Sequence, residues 1–238
     1  MYIWELFTNG GEGPSREGLL NVIAFIVALV VALVMHEFSH ALVAKWFGDD
    51  TAQVSGRLSI NPLKHIDPVG FILMLLVGFG WARPVPVNPT NFKKFRTGMF
   101  CVALAGIVMN LLIAFLFCGL YVVCIANFDA LVNWNQYVGY FLWAFCSFML
   151  SFNLSFAMFN LLPLYPLDGY RVLSCFIPQE NGFMRFLRKY SLYILLGLLL
   201  IGYIPYVKYY SPLDLYMSFT TSGLSNLFLK FWVWVFAL

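Results

Sequence analysis

Charge is scarce in this sequence. Of 238 residues only 11% are Asp, Glu, Lys or Arg, whereas 61% are hydrophobic, and the mean hydropathy is +0.81. Soluble globular chains run at about 25% charged and about 45–50% apolar. A soluble domain is therefore excluded, and a polytopic membrane protein with one embedded domain is expected. A net charge of +3, carried by basic residues that flank apolar segments, excludes a nucleic-acid partner. Five cysteines (Cys101, Cys118, Cys124, Cys146, Cys175) have no metal-like spacing and read as small apolar side chains. Internal repeats, low-complexity linkers and room for an appended soluble domain are also missing. The first eighteen residues lack a basic n-region, carrying Glu5, Glu12 and Glu17 against Arg16, so a cleaved signal is not expected.

What is there is a set of long apolar runs. Residues 19–47, 100–126 and 137–162 read as clear spans, 190–203 as a fourth, and 213–238 as a weaker fifth interrupted by Lys230. The expected fold is all-α and polytopic, with about five transmembrane helices in a single domain over 1–238: a core at 19–177 and accessory C-terminal helices at 190–238. Between the first two clear spans the pattern changes. Gly48-Asp49-Asp50 marks a turn, and residues 54–60 alternate as a strand would, with Leu58 and Ile60 on one face and Arg57 and Ser59 on the other. Asp67-Pro68 reads as a helix N-cap followed by proline. The apolar run 69–81 has thirteen residues, short of the roughly 20 a span needs, and reads as re-entrant. Pro84, Pro86 and Pro89 force an extended run. The basic clusters around Lys45–Lys64, Arg83–Arg96 and Arg171–Lys189 can share the cytoplasmic side only if 69–81 enters and leaves by one face, with the N-terminus outside.

One polar interruption stands out. Residues 19–34 contain a single polar side chain, Asn21, and then Met35-His36-Glu37-Phe38-Ser39-His40 places two of the chain's three histidines and a carboxylate in the apolar run. Ionisable groups at that depth cost several kcal/mol unless partnered. The pattern H-E-x-x-H puts His36 and His40 one turn apart on one helix face, where two imidazoles can hold one zinc ion, and Glu37 beside them, where it can act as general base rather than ligand. A catalytic zinc takes a third protein ligand and keeps an open position. Asp168 is the leading candidate, since Pro163 and Pro166 break the chain before it and Gly169 follows; irregular backbone at membrane depth belongs in a protein-enclosed cavity. The competing reading makes Asp168 the cap of a short helix at 169–176. Asp67 is explained by capping. His65 is a candidate to stand behind the ligands or to contact substrate, with a hydrogen-bonded loop histidine as the equal alternative.

Four pieces together resemble the site-2 protease family of intramembrane zinc metalloproteases: His36 to Ala41, Asn61 to Gly70, Gly80 to Pro89, and Asn160 to Gly169. The resemblance covers roughly residues 31–177 and is to the compact subgroup without PDZ or CBS domains. It implies one zinc per chain on His36, His40 and Asp168, with Glu37 catalytic. It also points to Gly106 and Asn110 on the next core span, although Ile107 stands where the family has proline. Asn110 is expected either to donate to the substrate carbonyl or its oxyanion, or to make an interhelical hydrogen bond. The implied activity is hydrolysis of a peptide bond in or near a transmembrane segment of a membrane-protein substrate whose helix can unwind. The enzyme would lie in the lipid bilayer of a cytoplasmic membrane, with its site open toward the cytoplasm. Residues 54–60 and the Pro84–Pro89 run are expected to offer a sheet edge to the unwound segment. The alternative is a membrane metal transporter or a non-proteolytic regulatory homologue.

Overall fold

A computed structural model describes Thr8 and residues 15–77, 80–204 and 211–237. The acidic stretch with Glu5 and Glu12, and Gly78-Phe79 within the expected re-entrant run, lie outside the described residues. Three long helices form the centre: α1 (Arg16–Trp46), α4 (Phe95–Ala126) and α6 (Gln136–Leu161). Between them lie α2 (Thr51–Val54), α3 (Pro68–Val77) and α5 (Phe128–Trp134). After α6 come α7 (Asp168–Ser174), α8 (Gly182–Tyr203) and α9 (Pro212–Val235).

Local chemistry sets the helix ends. Ser15 caps α1, its hydroxyl accepting from the Gly18 N–H at 2.9 Å. At the other end the Gly48 N–H donates to the Lys45 carbonyl and the Asp49 N–H to that of Ala44. Gly48 takes φ +102° there, a Schellman stop that β-branched residues could not make. Asn135 caps α6, Asn181 caps α8, and Ser211 with Pro212 opens α9. Asp67 caps α3 as expected, accepting from the Gly70 N–H at 2.8 Å.

The centre is built on small residues. Ala24, Ala28, Ala32, His36, His40 and Ala44 recur every fourth position of α1, and all are buried. The stripe that lets neighbouring helices approach is thus the stripe that carries both histidines. Ala28, Ile113 and Met149 meet where α1, α4 and α6 cross, with Met35, Met109 and Phe145 packed around them. Helix α9 closes a second cluster, laying Leu224, Phe228 and Trp232 against Ala114, Cys118 and Leu154. Gly119 admits Trp232: a Cβ there would lie 2.8 Å from the indole ring.

Among the described residues three helices, α1, α4 and α6, are long and apolar enough to cross a membrane. They correspond to the three clear spans of the sequence reading. The other two expected spans form helices α8 and α9 but do not meet that standard; α8 opens with Arg185, Arg188 and Lys189, and α9 holds Asp214 and Lys230. The expected strand at 54–60 does not form. Its first residue ends α2, Gly56 turns the chain at φ +67°, and the N–H groups of Arg57 and Leu58 return to the Ala52 carbonyl. A backbone donor used within its own turn cannot join a ladder. The β-pairing found among the described residues is a single antiparallel bridge, Ile66 with Ala82. Glycines permit this close return, since a Cβ on Gly70 would meet the Trp81 carbonyl and one on Gly80 the Gly70 carbonyl.

Downstream, the Arg83–Asn88 run has no helical structure, as its prolines dictate. Asp49 pins its far end: Oδ2 accepts from the Asn88 N–H at 2.7 Å, and Oδ1 from the Thr51 hydroxyl and the Asn91 amide. Burial works against the charge on Asp49, and the donors from Thr51, Asn88 and Asn91 outweigh it, holding the carboxyl below its ordinary range.

Candidate metal centre

Three side chains from two elements converge in the interior. His36 Nε2 and His40 Nε2, one turn apart on α1, lie 3.2 Å from each other. Asp168, the first residue of α7, brings Oδ2 to 3.1 Å from His36 Nε2 and 3.0 Å from His40 Nε2. All three residues are buried, and among the described residues they form the group of His, Cys, Asp and Glu side chains able to share one ion. Four ligands arranged tetrahedrally at about 2.0–2.1 Å from zinc stand about 3.3 Å apart, so the observed spacings match that donor set.

Hydrogen bonding fixes what these atoms can do. His36 Nδ1 lies 2.6 Å from Asn110 Oδ1, and His40 Nδ1 lies 2.7 Å from the Val102 carbonyl. Both partners are acceptors, so each Nδ1 carries the proton and donates. In the neutral imidazoles each Nε2 is left as a bare lone pair. Asn110 cannot be turned the other way, because its Nδ2 donates to Asn153 Oδ1 at 2.7 Å and to the Ala32 carbonyl at 3.2 Å. Asn153 donates in turn to the Met149 carbonyl. Two lone pairs and a carboxylate oxygen facing one another repel unless something positive lies between them. Asp168 Oδ2 has no hydrogen-bond partner of its own. The donor set fits a zinc ion, and the hydrogen bonds behind it orient the rings as metal sites require.

The backbone explains how Asp168 arrives. Helix α6 ends at Leu161, just before Pro163, and the chain folds back so tightly that a Cβ on Gly169 would lie 2.3 Å from the Leu161 carbonyl oxygen. Leu167, not Asp168, is the N-cap of α7, and no side chain caps it. The Asp168 carboxylate is free to face the imidazoles, with Oδ1 3.5 Å from Arg171 Nη1. On α4, a Cβ on Gly106 would lie 2.3 Å from His36 Cε1. That glycine lets the helix pass close enough for Asn110, one turn on, to reach the ring.

Glu37, beside His36 on α1, is not one of the three converging donors, and its Oε2 accepts from the Val85 N–H at 3.0 Å. His65 is fully buried and lies outside the group. Its Nε2–H donates to the Ser59 carbonyl at 2.6 Å, and its own carbonyl accepts from the Arg83 N–H. It ties together the loops on either side of α3 and has no face open to substrate. Both Asn110 amide hydrogens are engaged within the bundle, leaving none for a substrate oxyanion. Sequence reading missed Asn153, whose place opposite Asn110 had only its polarity in an apolar span as a signal.

A family model describing peptidase family M50 matches residues 24–202. A Bacillus subtilis (strain 168) protein is 46% identical over 160 residues, 64% of this chain and 68% of its own length. A Mycolicibacterium smegmatis protein is 29% identical over 164 residues, 67% of this chain and 59% of its own length. A Methanocaldococcus jannaschii protein is 28% identical over 200 residues, 80% of this chain and 84% of its own length. All three are named "Putative zinc metalloprotease", as YwhC, Rip2 and MJ0611 respectively. No solved structure gives a significant match. With three apolar helices, a convergent His-His-Asp donor set and a family match over most of its length, the chain is an integral membrane protein of peptidase family M50, the site-2 protease family its motifs resemble.

Proposed function

We propose that this protein is an intramembrane zinc endopeptidase, cleaving a peptide bond in or near a transmembrane segment of a membrane-protein substrate. The observation that carries the reading is the convergence of His36 Nε2, His40 Nε2 and Asp168 Oδ2 within 3.2 Å of one another, with Glu37 adjacent on α1. Those three residues would hold one zinc. When bound, the metal supplies a Lewis acid that makes water a nucleophile near neutral pH and opposes negative charge on the scissile carbonyl oxygen.

The chain's own residues do the rest. Glu37 accepts a proton from the attacking water and returns it to the leaving amine, as a positioned general base and acid. Asn110 and the Val102 carbonyl hold the two imidazoles in the tautomer that keeps Nε2 free. The buried Ala stripe and the bundle around it exclude bulk water. His36 and His40 lie ten and six residues before the end of α1 at Trp46, about 9–15 Å along the helix. The basic residues cluster beyond that end, which supports a site opening to the cytoplasmic side. The Ile66–Ala82 pairing sets the entry and exit of α3 side by side and supports a segment that dips in and returns.

The test is Glu37→Gln in reconstituted membranes with a single-span model substrate. The expected result is wild-type cleavage, and loss of cleavage in the variant with its zinc content unchanged. Metal flux in the wild type without any proteolysis would sink the protease reading in favour of a transporter. Membrane proteomes of cells carrying wild type or Glu37→Gln would then identify substrates as single-span precursors that accumulate in the variant.

A further inference from the structure

The Arg83–Val87 run touches the catalytic helix in a way its prolines explain. Pro84 and Pro86 have no N–H, so Val85 supplies the one backbone donor of the Pro84–Pro86 tripeptide. That donor is aimed at Glu37 Oε2, 3.0 Å away. The Val85 side chain is buried against Ala41 and Ala52, which fixes the residue over α1. Upstream, the Arg83 N–H is held by the His65 carbonyl at 2.8 Å; downstream, the Asn88 N–H is held by Asp49.

The other side of the same peptide unit is also occupied. Arg57 Nη2 donates to the Pro84 carbonyl at 3.0 Å and to the Arg83 carbonyl. The Pro84 carbonyl and the Val85 N–H belong to one planar peptide and point in opposite directions. A guanidinium therefore grips the oxygen edge of that plane while the Glu37 carboxylate grips its N–H edge. A positive charge at the oxygen polarises the unit and strengthens the N–H as a donor. Arg57 is only 8% exposed, and among the described residues no carboxylate forms an ion pair with it. Burying a guanidinium on these terms is costly. The Glu37 charge is felt at Arg57, opposing what burial and the neighbouring Arg83 do to lower its proton affinity.

We propose that Arg57 is a positioning residue for Glu37, acting through the Pro84–Val85 peptide. It holds Oε2 on the Val85 N–H, so that Oε1 is the oxygen presented to the reacting water. This inference rests on the reading of Glu37 as general base.

Three variants in reconstituted membranes test it: Arg57→Ala, Val85→Pro, which deletes the donor, and the two combined. Each single change should lower kcat roughly 10–100-fold, the scale of losses behind a metal site, with KM and zinc content held. The double variant should fall no further than the worse single, because both act on one contact. Added guanidinium should restore part of the kcat of Arg57→Ala and none in the double. Losses that multiply in the double, or a kcat within about twofold of wild type in Arg57→Ala, would overturn the proposal. Should Arg57→Ala lose its zinc, Arg57→Met takes its place in the same comparison, since it keeps a long side chain in that position but has no N–H to give either carbonyl. An inactive wild type would instead fault the protease reading; an active wild type, an inactive Glu37→Gln and indifferent Arg57 and Val85 variants would fault only the positioning.

Discussion

At the residue scale the centre depends on which atoms keep a lone pair. His36→Ala, His40→Ala and Asp168→Ala each remove one of the three facing donors, so purified protein from each should contain little zinc, in contrast to Glu37→Gln. Asn110→Ala leaves the donors in place but frees the His36 ring, since Oδ1 is the acceptor that fixes its tautomer. Competition against a metal indicator should show zinc affinity weakened roughly 10–100-fold. Unchanged affinity would assign Asn110 to helix packing alone. H-E-x-x-H was legible in the sequence because ionisable groups in an apolar run demand a reason. The service of Asn110 to His36 was not, because the two lie 74 residues apart and no local pattern reports which amide hydrogens a partner helix will occupy.

At the scale of elements, close approach decides the geometry. A Cβ on Gly106 would lie 2.3 Å from His36 Cε1, and one on Gly169 would lie 2.3 Å from the Leu161 carbonyl. Gly106→Ala must push the His36 ring or the whole of α4. Gly169→Ala must move the first turn of α7, which carries Asp168. Both variants should insert and fold yet bind zinc weakly; normal metal content in either would show that the helices yield. Asp49 accepts four hydrogen bonds, two from Thr51 and two, from Asn88 and Asn91, that join the end of α1 to the Pro-rich run. Asp49→Ala should cost about 2–4 kcal/mol in unfolding free energy, as loss of a buried charged acceptor does. Its carboxyl titrates lower in the folded chain than the free-acid value of 3.8. That stabilisation is complete above the unfolded value and is lost as pH falls below it toward the folded one. Acidification from about pH 4 downward should therefore lower the melting temperature less in Asp49→Asn than in wild type. The strand expected at 54–60 shows where element reading fails: alternating side chains suited a ladder, but Gly56 and the Ala52 carbonyl took the backbone donors first.

Across the whole molecule the donors come from the first long helix and from the start of α7, just after α6 ends, so an ion held there would tie the two ends of the core together. Metal that binds the folded state alone stabilises it, by about 2.7 kcal/mol at a free concentration 100 times its Kd. Chelation should lower the melting temperature of the detergent-solubilised protein and abolish cleavage, and added zinc should restore both. A melting temperature indifferent to chelation would show that the core holds without the ion. The sequence by itself determined the membrane setting, the three clear spans, the His36–His40 face with Glu37 beside it, and Asp168 as the leading candidate for a third donor, because hydropathy, helical period and proline breaks are local properties. Tertiary structure alone decided the tautomers of the two histidines, the buried place of His65, and the peptide plane between Arg57 and Glu37. Each of these depends on which carbonyl or amide of another segment, side chain or backbone, comes within hydrogen-bond reach, and packing, not periodicity, sets that.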